Sequence, residues 1–365
     1  VDLRRAPALA LAALALLAST GAATPSPKPT ASPTQRDGTL QILAYRGYAE
    51  YGGTSPQANW TGTFEKETGC RVARLDTVST PEEMAARLAE RPYDVVSADP
   101  VLAATMIEAK QVQPIDTDEI EGYDDLLEPL RDLVSDSGKA YGVPFLWGYH
   151  EFLYDPTRVR GGDLGDAFEA ERVMLKDSPL TLADAALVDD AVEQPFELTA
   201  TQLDRAAERL RGYDERAYWK NPLDLIKGFA TGSIDYAQAT PYHRMLLQKA
   251  DKPVKTVSAR KATGWVDSWM LGAGVADTGC AYLWLNRMTD PGSQRDAAAW
   301  LGLAPANTKA CKGRAKPVCE AYGATRSPRL DRIAFAVRPP GDCRPPEGEC
   351  VDYTTWTTRW RELTK

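Results

Sequence analysis

Two histidines, His150 and His243, are the whole imidazole complement of this 365-residue chain. A three-histidine metal centre is therefore excluded, and any histidine-dependent catalysis must use one of these two. His150 stands beside Glu151, but no nucleophile is spaced to pair with it, and a lone histidine on a strand is ordinarily structural. The chain holds no G-x-S-x-G elbow, Walker loop, H-E-x-x-H or kinase signature. Gly272-Ala273-Gly274 ends a strand-like run, yet Gly279 comes too late to complete a G-x-G-x-x-G loop. A carboxylate pair assembled only by folding, as in glycosidases, stays open as a catalytic alternative. The sharpest local pattern is Trp265, Asp267 and Trp269, at i, i+2 and i+4. On a strand they share one face, with Trp269 expected to pack in the core.

These residues need elements to hold them, and the sequence alternates strand and helix patterns. LQILAY (40–45), CRVARLD (70–76) and YDVVSA (93–98) read as strands. Between them, Pro56 to Thr68 is amphipathic and stopped by Gly69, and Thr80-Pro81-Glu82-Glu83 reads as a capping box that opens a helix to Glu90. A helix from Pro100 to Lys110 follows. This order argues for an α/β domain with a largely parallel sheet. GVPFLWGYHEFLYD (142–155) reads as two extended runs, Leu198–Leu210 as a helix, GWVDSWML (264–271) as a strand and Cys280–Thr289 as a helix. No repeat of 20–50 residues marks a solenoid or propeller.

Composition is that of a soluble globular protein, 43% hydrophobic and 26% charged, with length for about two domains. The net charge of −8 repels phosphate backbones and argues against nucleic-acid binding. Residues 1–23 read as a signal peptide: Arg4 and Arg5, an Ala/Leu run, then small residues. Residues 24–38 read as a Pro/Ser/Thr linker. Export makes disulfides the expected use of the six cysteines, and no C-x-x-C supports zinc. Cys343 with Cys350 and Cys311 with Cys319 flank Pro- and Gly-containing loops suited to local bridges, which leaves Cys70 with Cys280.

The blocks ILAYRGYAEYG, FEKETGCRV, YDVVSADP, GKAYGVPFLWG, DSPLTLADAALV and GWVDSWML, in this order between Thr39 and Pro305, resemble the spermidine/putrescine-binding proteins of bacterial ABC importers. The tail VDYTTWTTRWREL shares the likeness. The resemblance implies an α/β, two-lobe periplasmic-binding-protein-like fold (type II), each lobe a mixed, mainly parallel sheet flanked by helices, with a cleft between them. Lobe 1 would be 39–145 plus 266–305 and lobe 2 would be 146–265 plus 306–365. The chain would cross near Val143–Gly148 and return near Lys261–Trp265, and closure about these crossings would be read by a membrane permease.

A polyamine site needs carboxylates for its ammonium groups and aromatic faces along its methylenes. The family's Trp-x-Asp pair falls on Trp265 and Asp267, making Asp267 the expected ammonium anchor. Its aromatic-x-Glu-Tyr stretch is similar to Tyr48-Ala49-Glu50-Tyr51, where Tyr48 and Tyr51 would wall the ligand and Glu50 add charge. Arg46, in the same loop, is awkward for a cation unless it points outward or pairs with Glu50. Asp184 matches a carboxylate of the second lobe, whereas the next family carboxylate falls on Leu187, a Ser-x-Tyr falls near Ala98-Asp99-Pro100, and an aromatic falls on Ala239. Asp99 and Tyr242 are the candidate substitutes, Asp99 equally as a helix cap before Pro100. The resulting expectation is a periplasmic, monomeric, non-enzymatic receptor for a small cationic solute, with no cofactor and no lipidation cysteine. A different solute on the same scaffold, for which Arg46 could matter, or a secreted carboxylate-dependent hydrolase are the alternatives.

Overall fold

The computed structural model describes residues 38–53, 55–211, 217–275, 279–326, 330–343 and 348–364. The expected signal peptide and all of the linker but Gly38 lie outside the described residues.

The first lobe starts as strand–helix–strand. The apolar run Thr39–Tyr45 is β1, followed by α1 (Trp60–Thr68), β2 (Arg71–Val78), α2 (Pro81–Glu90) and β3 (Val95–Ala98). β1 pairs in parallel with both β2 and β3, as connections through helices require. Each helix starts where a short polar side chain takes up a free N–H: Asn59 accepts from Gly62, Thr80 from Glu83, and Asp99 from Val101 and Leu102 ahead of α3 (Pro100–Glu108). The Thr80 box is not reciprocal, because Glu83 accepts from the Ser79 N–H instead. β4 (Val112–Gln113), α4 (Glu128–Asp132) and the hairpin of β5 (Ser135–Asp136) with β6 (Lys139–Ala140) lead into β7 (Gly142–Tyr149), every residue of which is buried.

The second lobe runs from β8 (Glu151–Tyr154) through α5 (Leu164–Glu169), β9 (Val173–Lys176), α6 (Thr181–Ala186) and α7 (Ala200–Glu208). β10 (Ala217–Trp219), α8 (Pro222–Thr231), β11 (Tyr236–Ala239), α9 (Pro241–Lys249) and β12 (Lys255–Thr256) complete it. Its sheet is ordered β10-β9-β11-β8-β12, with β9, β10 and β11 parallel.

The chain then returns as β13 (Ala262–Gly272), α10 (Gly279–Thr289), α11 (Pro291–Leu301), β14 (Ala304–Pro305), α12 (Lys316–Tyr322), β15 (Ile333–Phe335) and α13 (Tyr353–Leu363). β13 inserts antiparallel between β3 and β7, giving the order β14-β7-β13-β3-β1-β2. The first sheet is thus mixed rather than largely parallel. Pro144, which has no N–H to give, sits in β7 beside a register shift opposite Asp267 and Ser268, the bulge that lets a central strand tolerate it.

Two boundaries differ from the expectation. The first crossing is at His150, between β7 and β8, because β7 pairs with β13 along its whole length. The tail does not all join the second lobe: Ala306, Ala315, Val318, Tyr322 and Ile333 pack into the first core, and only the segment ending in α13, through Trp356 and Trp360, enters the second. β15 explains this, since it extends the first sheet alongside β13.

Cys70 is bonded to Cys280, Cys311 to Cys319 and Cys343 to Cys350. The first bridge joins the entry of β2 to α10 inside the first core, across 210 residues of chain.

Candidate functional site

The carboxyl ends of β1, β3 and β9 meet the middle of β13, the end of an α/β sheet where ligands bind. Two tyrosine–carboxylate pairs form there. The Tyr48 hydroxyl donates to Asp267 Oδ2 at 2.5 Å, and the Tyr45 hydroxyl donates to Asp99 Oδ2. The other Asp99 oxygen caps α3, so the cap expected before Pro100 forms while the second oxygen meets Tyr45 in the cleft. An aromatic ladder fixes Tyr48. It runs from Tyr45 to Tyr48, Phe145, Trp269 and Trp284, with centroids 5.2–6.2 Å apart. Trp269 is fully buried in that ladder, as expected of a core residue.

Burial drives the Asp267 carboxyl up to about 7. The hydroxyl of Tyr48, the Lys176 ammonium and the Trp265 indole hold it down, while the Asp99 charge pushes it further up. An arriving cation would favour its ionised form.

The opposite wall comes from the second lobe. Lys176, the last residue of β9, places its ammonium 4.8 Å from the centre of the Trp265 ring. Burial lowers its basicity, and Asp267, Asp99 and Asp184 restore part of it. Trp265 also lies 5.0 Å from the His150 ring, and it approaches Gly148 so closely that a Cβ there would fall 2.6 Å from the indole. Gly148 is therefore what admits the ring.

Asp184 lies beneath, 2% exposed, and is committed within the protein. Thr263 donates to its Oδ1 at 2.8 Å and Gln238 to its Oδ2 at 2.6 Å, with His150 Nδ1 3.2 Å from Oδ2. It ties α6, β11, β13 and the His150 crossing together. The expectation of a free ammonium-binding carboxylate is corrected accordingly.

Two other expectations are also displaced, those for Tyr51 and Tyr242. Tyr51 is 44% exposed and bonded to Glu65, whose carboxylate accepts from Val72 N–H at the start of β2, the end of the sheet away from Asp267. Glu50 is half-buried, and its carbonyl accepts from Thr61 N–H at 3.0 Å at the start of α1. Tyr242 packs on Gly302, where a Cβ would meet its ring at 2.2 Å, in the contact of α9 with the first lobe. Arg46 is exposed and reaches Ser79 at 3.3 Å. The sequence reading missed Tyr45 and Lys176. Both end a strand, at the sheet edge where Asp99 was found, and that position was the available signal.

Elsewhere, a groove of about 620 Å³ lined by Asp116, Tyr123, Arg131 and Lys139 has its Arg131 paired with Asp124 and shares no residue with this cleft. Among the described residues no cluster of His, Cys, Asp or Glu is placed to hold a metal ion, and no helix is long and apolar enough to cross a membrane.

The profile of the bacterial extracellular solute-binding proteins matches residues 59–318, most of the chain. The chain belongs to that family. The solute-binding protein also has a curated relative, the putrescine-binding periplasmic protein SpuD of Pseudomonas aeruginosa (strain UCBPP-PA14), 31% identical over 101 residues. That match spans only 27% of either chain. Among solved structures, the Tp0655 (TpPotD) lipoprotein of Treponema pallidum superposes with a TM-score of 0.70 at 14% identity, covering 89% of this chain and 99% of that one. The binding protein MotA from A. tumefaciens B6, in complex with glucopine, gives 0.65 at 14% identity, covering 89% and 100%. At such identities these neighbours establish the fold, that of type II periplasmic binding proteins.

Proposed function

We propose that this solute-binding protein is the extracytoplasmic receptor of an ABC importer and captures a small organic cation of the polyamine class by closure of its two lobes, without catalysis. The observation that carries this reading is the pair of tyrosine-held carboxylates, Tyr48–Asp267 and Tyr45–Asp99, beside the Trp265 face. Carboxylates presented with aromatic rings are the chemistry of ammonium recognition. The name of SpuD, a putrescine-binding periplasmic protein, points the same way. Asp267 is the ammonium anchor in this reading, Tyr45, Tyr48 and Trp265 line the methylenes, and His150 marks one hinge. The partner is a membrane permease that reads the closed state, the receptor acts as a monomer in the periplasm, and neither cofactor nor nucleic acid takes part.

Thermal shift of the protein against putrescine, spermidine, cadaverine, basic amino acids, sulfate and small carboxylates tests this. Ligand at about 100 times its Kd adds about 2.7 kcal/mol, visible as a raised midpoint. Amines that stabilise the wild type and leave Asp267→Ala unmoved support the reading. Stabilisation by anions alone overturns it, and turnover of an added glycoside or ester overturns the non-catalytic part.

A further inference from the structure

We propose that the cleft is built for a solute carrying an ammonium at one end and a carboxylate at the other, with Lys176 receiving the anionic end. The inference rests on the reading that the first-lobe carboxylates hold an ammonium, and at the other end of the solute it replaces the second ammonium of a polyamine with a carboxylate.

The two walls are unlike. The first-lobe wall offers Asp267 and Asp99, each with a tyrosine hydroxyl. The second-lobe wall offers a cation. The Lys176 ammonium rests over Trp265 at 4.8 Å, and among the described residues no acceptor is hydrogen-bonded to it. The charged and titratable groups that face it are Asp267, Asp99 and Asp184, and the two histidines that feel its charge are His150 and His243. Asp184 is already bonded to Thr263 and Gln238, so it does not neutralise Lys176 by direct contact.

The tautomers of the two histidines follow from their partners. The Thr240 N–H donates to His243 Nδ1 at 3.1 Å, so neutral His243 carries its proton on Nε2. The Thr263 hydroxyl spends its proton on Asp184, so His150 Nδ1, 3.0 Å from Thr263 and 3.2 Å from Asp184, must donate. His150 is 8% exposed, and its Nε2 is left as a bare, buried acceptor with no partner. Burial keeps both rings neutral at pH 7. Beside the Lys176 cation, His150 thus leaves one neutral acceptor without a partner. A diamine spanning the cleft would set its second ammonium against Lys176 and on a ring face already taken. An amino acid of equal length would set a carboxylate there.

Calorimetric titration of the full chain with matched pairs decides between them: putrescine against γ-aminobutyrate, and cadaverine against δ-aminovalerate. The expected result is at least tenfold tighter binding of the amino acid in one pair, with Lys176→Met and Lys176→Gln abolishing or reversing the preference. Diamines binding as tightly as or tighter than the amino acids on the wild type overturn the inference and leave the cation reading standing. No heat from any of the four amines at about 10 mM overturns both. The wild-type ranking tests the proposal even if the Lys176 variants do not fold.

Discussion

Tyr48 and Asp267 lie 219 residues apart in sequence, yet the phenol donates to the carboxylate at 2.5 Å with both side chains buried. A buried carboxylate is costly unless donors hold its charge. Here the donors are the Tyr48 hydroxyl and the Trp265 indole, with the Lys176 charge nearby.

Tyr48→Phe removes one donor and leaves the ring in its ladder. The Asp267 carboxyl then rises further, and less of it is ionised at pH 7. Binding of an ammonium solute should weaken about tenfold at pH 7, with part of the loss recovered at pH 8.5. Titration calorimetry at the two pH values reads this, and an equal loss at both would show that the hydroxyl acts only by packing.

Asp267 also couples pH to affinity and to stability, in opposite senses. An ammonium binds the ionised carboxylate, so affinity should fall by up to about tenfold per unit as pH drops below about 7. For the ligand-free protein, the folded-state value lies above the ordinary 3.8. Its contribution to stability is therefore full below the unfolded value and is lost as pH rises through the folded one. Asp267→Asn should accordingly be more stable than wild type at pH 8, by on the order of 3 kcal/mol, and the gain should vanish near pH 4. Urea unfolding across this range is the measurement, and a pH-independent difference would refute the coupling.

Much of this scaffold was legible in the chain, for local reasons. β1 and β3 are apolar runs of strand length, and Asp99 before Pro100 announces a capped helix because both residues act within one turn. Of the cleft residues, Trp265, Asp267, Tyr48 and Asp99 were expected one by one, but their pairing was not. Tyr45–Asp99 and Tyr48–Asp267 span 54 and 219 residues, and no local pattern encodes which hydroxyl meets which carboxylate. Tyr51 shows the converse. It sits three residues from Tyr48, but the turn through Gly52 and Gly53, both with positive φ, precedes α1, and its hydroxyl bonds to Glu65 there instead. Lys176 was invisible because a lysine ending a strand reads as a solvated charge until the opposite lobe is set against it.

Asp184 should behave unlike Asp267, although both are buried aspartates. Its carboxylate satisfies Thr263 and Gln238 and lies against the crossing at His150. Asp184→Leu strips all three partners at once and should cost about 3–5 kcal/mol of stability. Any loss of affinity should follow from unfolding and should recede at low temperature or with saturating ligand. If Asp184→Leu folds normally and binds nothing, Asp184 is a direct ligand contact after all.

The disulfides should contribute unequally. Cys70–Cys280 closes 210 residues of chain, whereas Cys311–Cys319 and Cys343–Cys350 close 8 and 7. Loop-closure entropy assigns about 5 kcal/mol to the long bridge and about 2.5 kcal/mol to each short one. Paired Cys→Ala variants compared by denaturant unfolding should keep that order. Cys70 and Cys280 are both buried in the first core, so loss of that bridge should loosen α10 against the entry of β2 and leave the second lobe intact. Hydrogen exchange would locate the change, and protection lost equally in both lobes would contradict it.

Gly148 offers the sharpest test that Trp265 is part of the site. A methyl group at Gly148 would lie 2.6 and 2.7 Å from the indole Cζ2 and Cη2, nearer than real Cβ atoms approach. The indole must then turn away, because Gly148 is held in β7 opposite Trp265 in β13 and the strands cannot separate without breaking the ladder that carries Asp267. The displaced ring no longer lies under the Lys176 ammonium and no longer bonds Asp267. Gly148→Ala should weaken solute binding about tenfold while costing only about 1–3 kcal/mol of stability, the range for overpacking a filled site. Gly274→Ala, where an added Cβ meets nothing within 4 Å, is the matched control and should change neither. Wild-type affinity in a folded Gly148→Ala protein would remove Trp265 from the site and leave the solute to the tyrosine-held carboxylates alone.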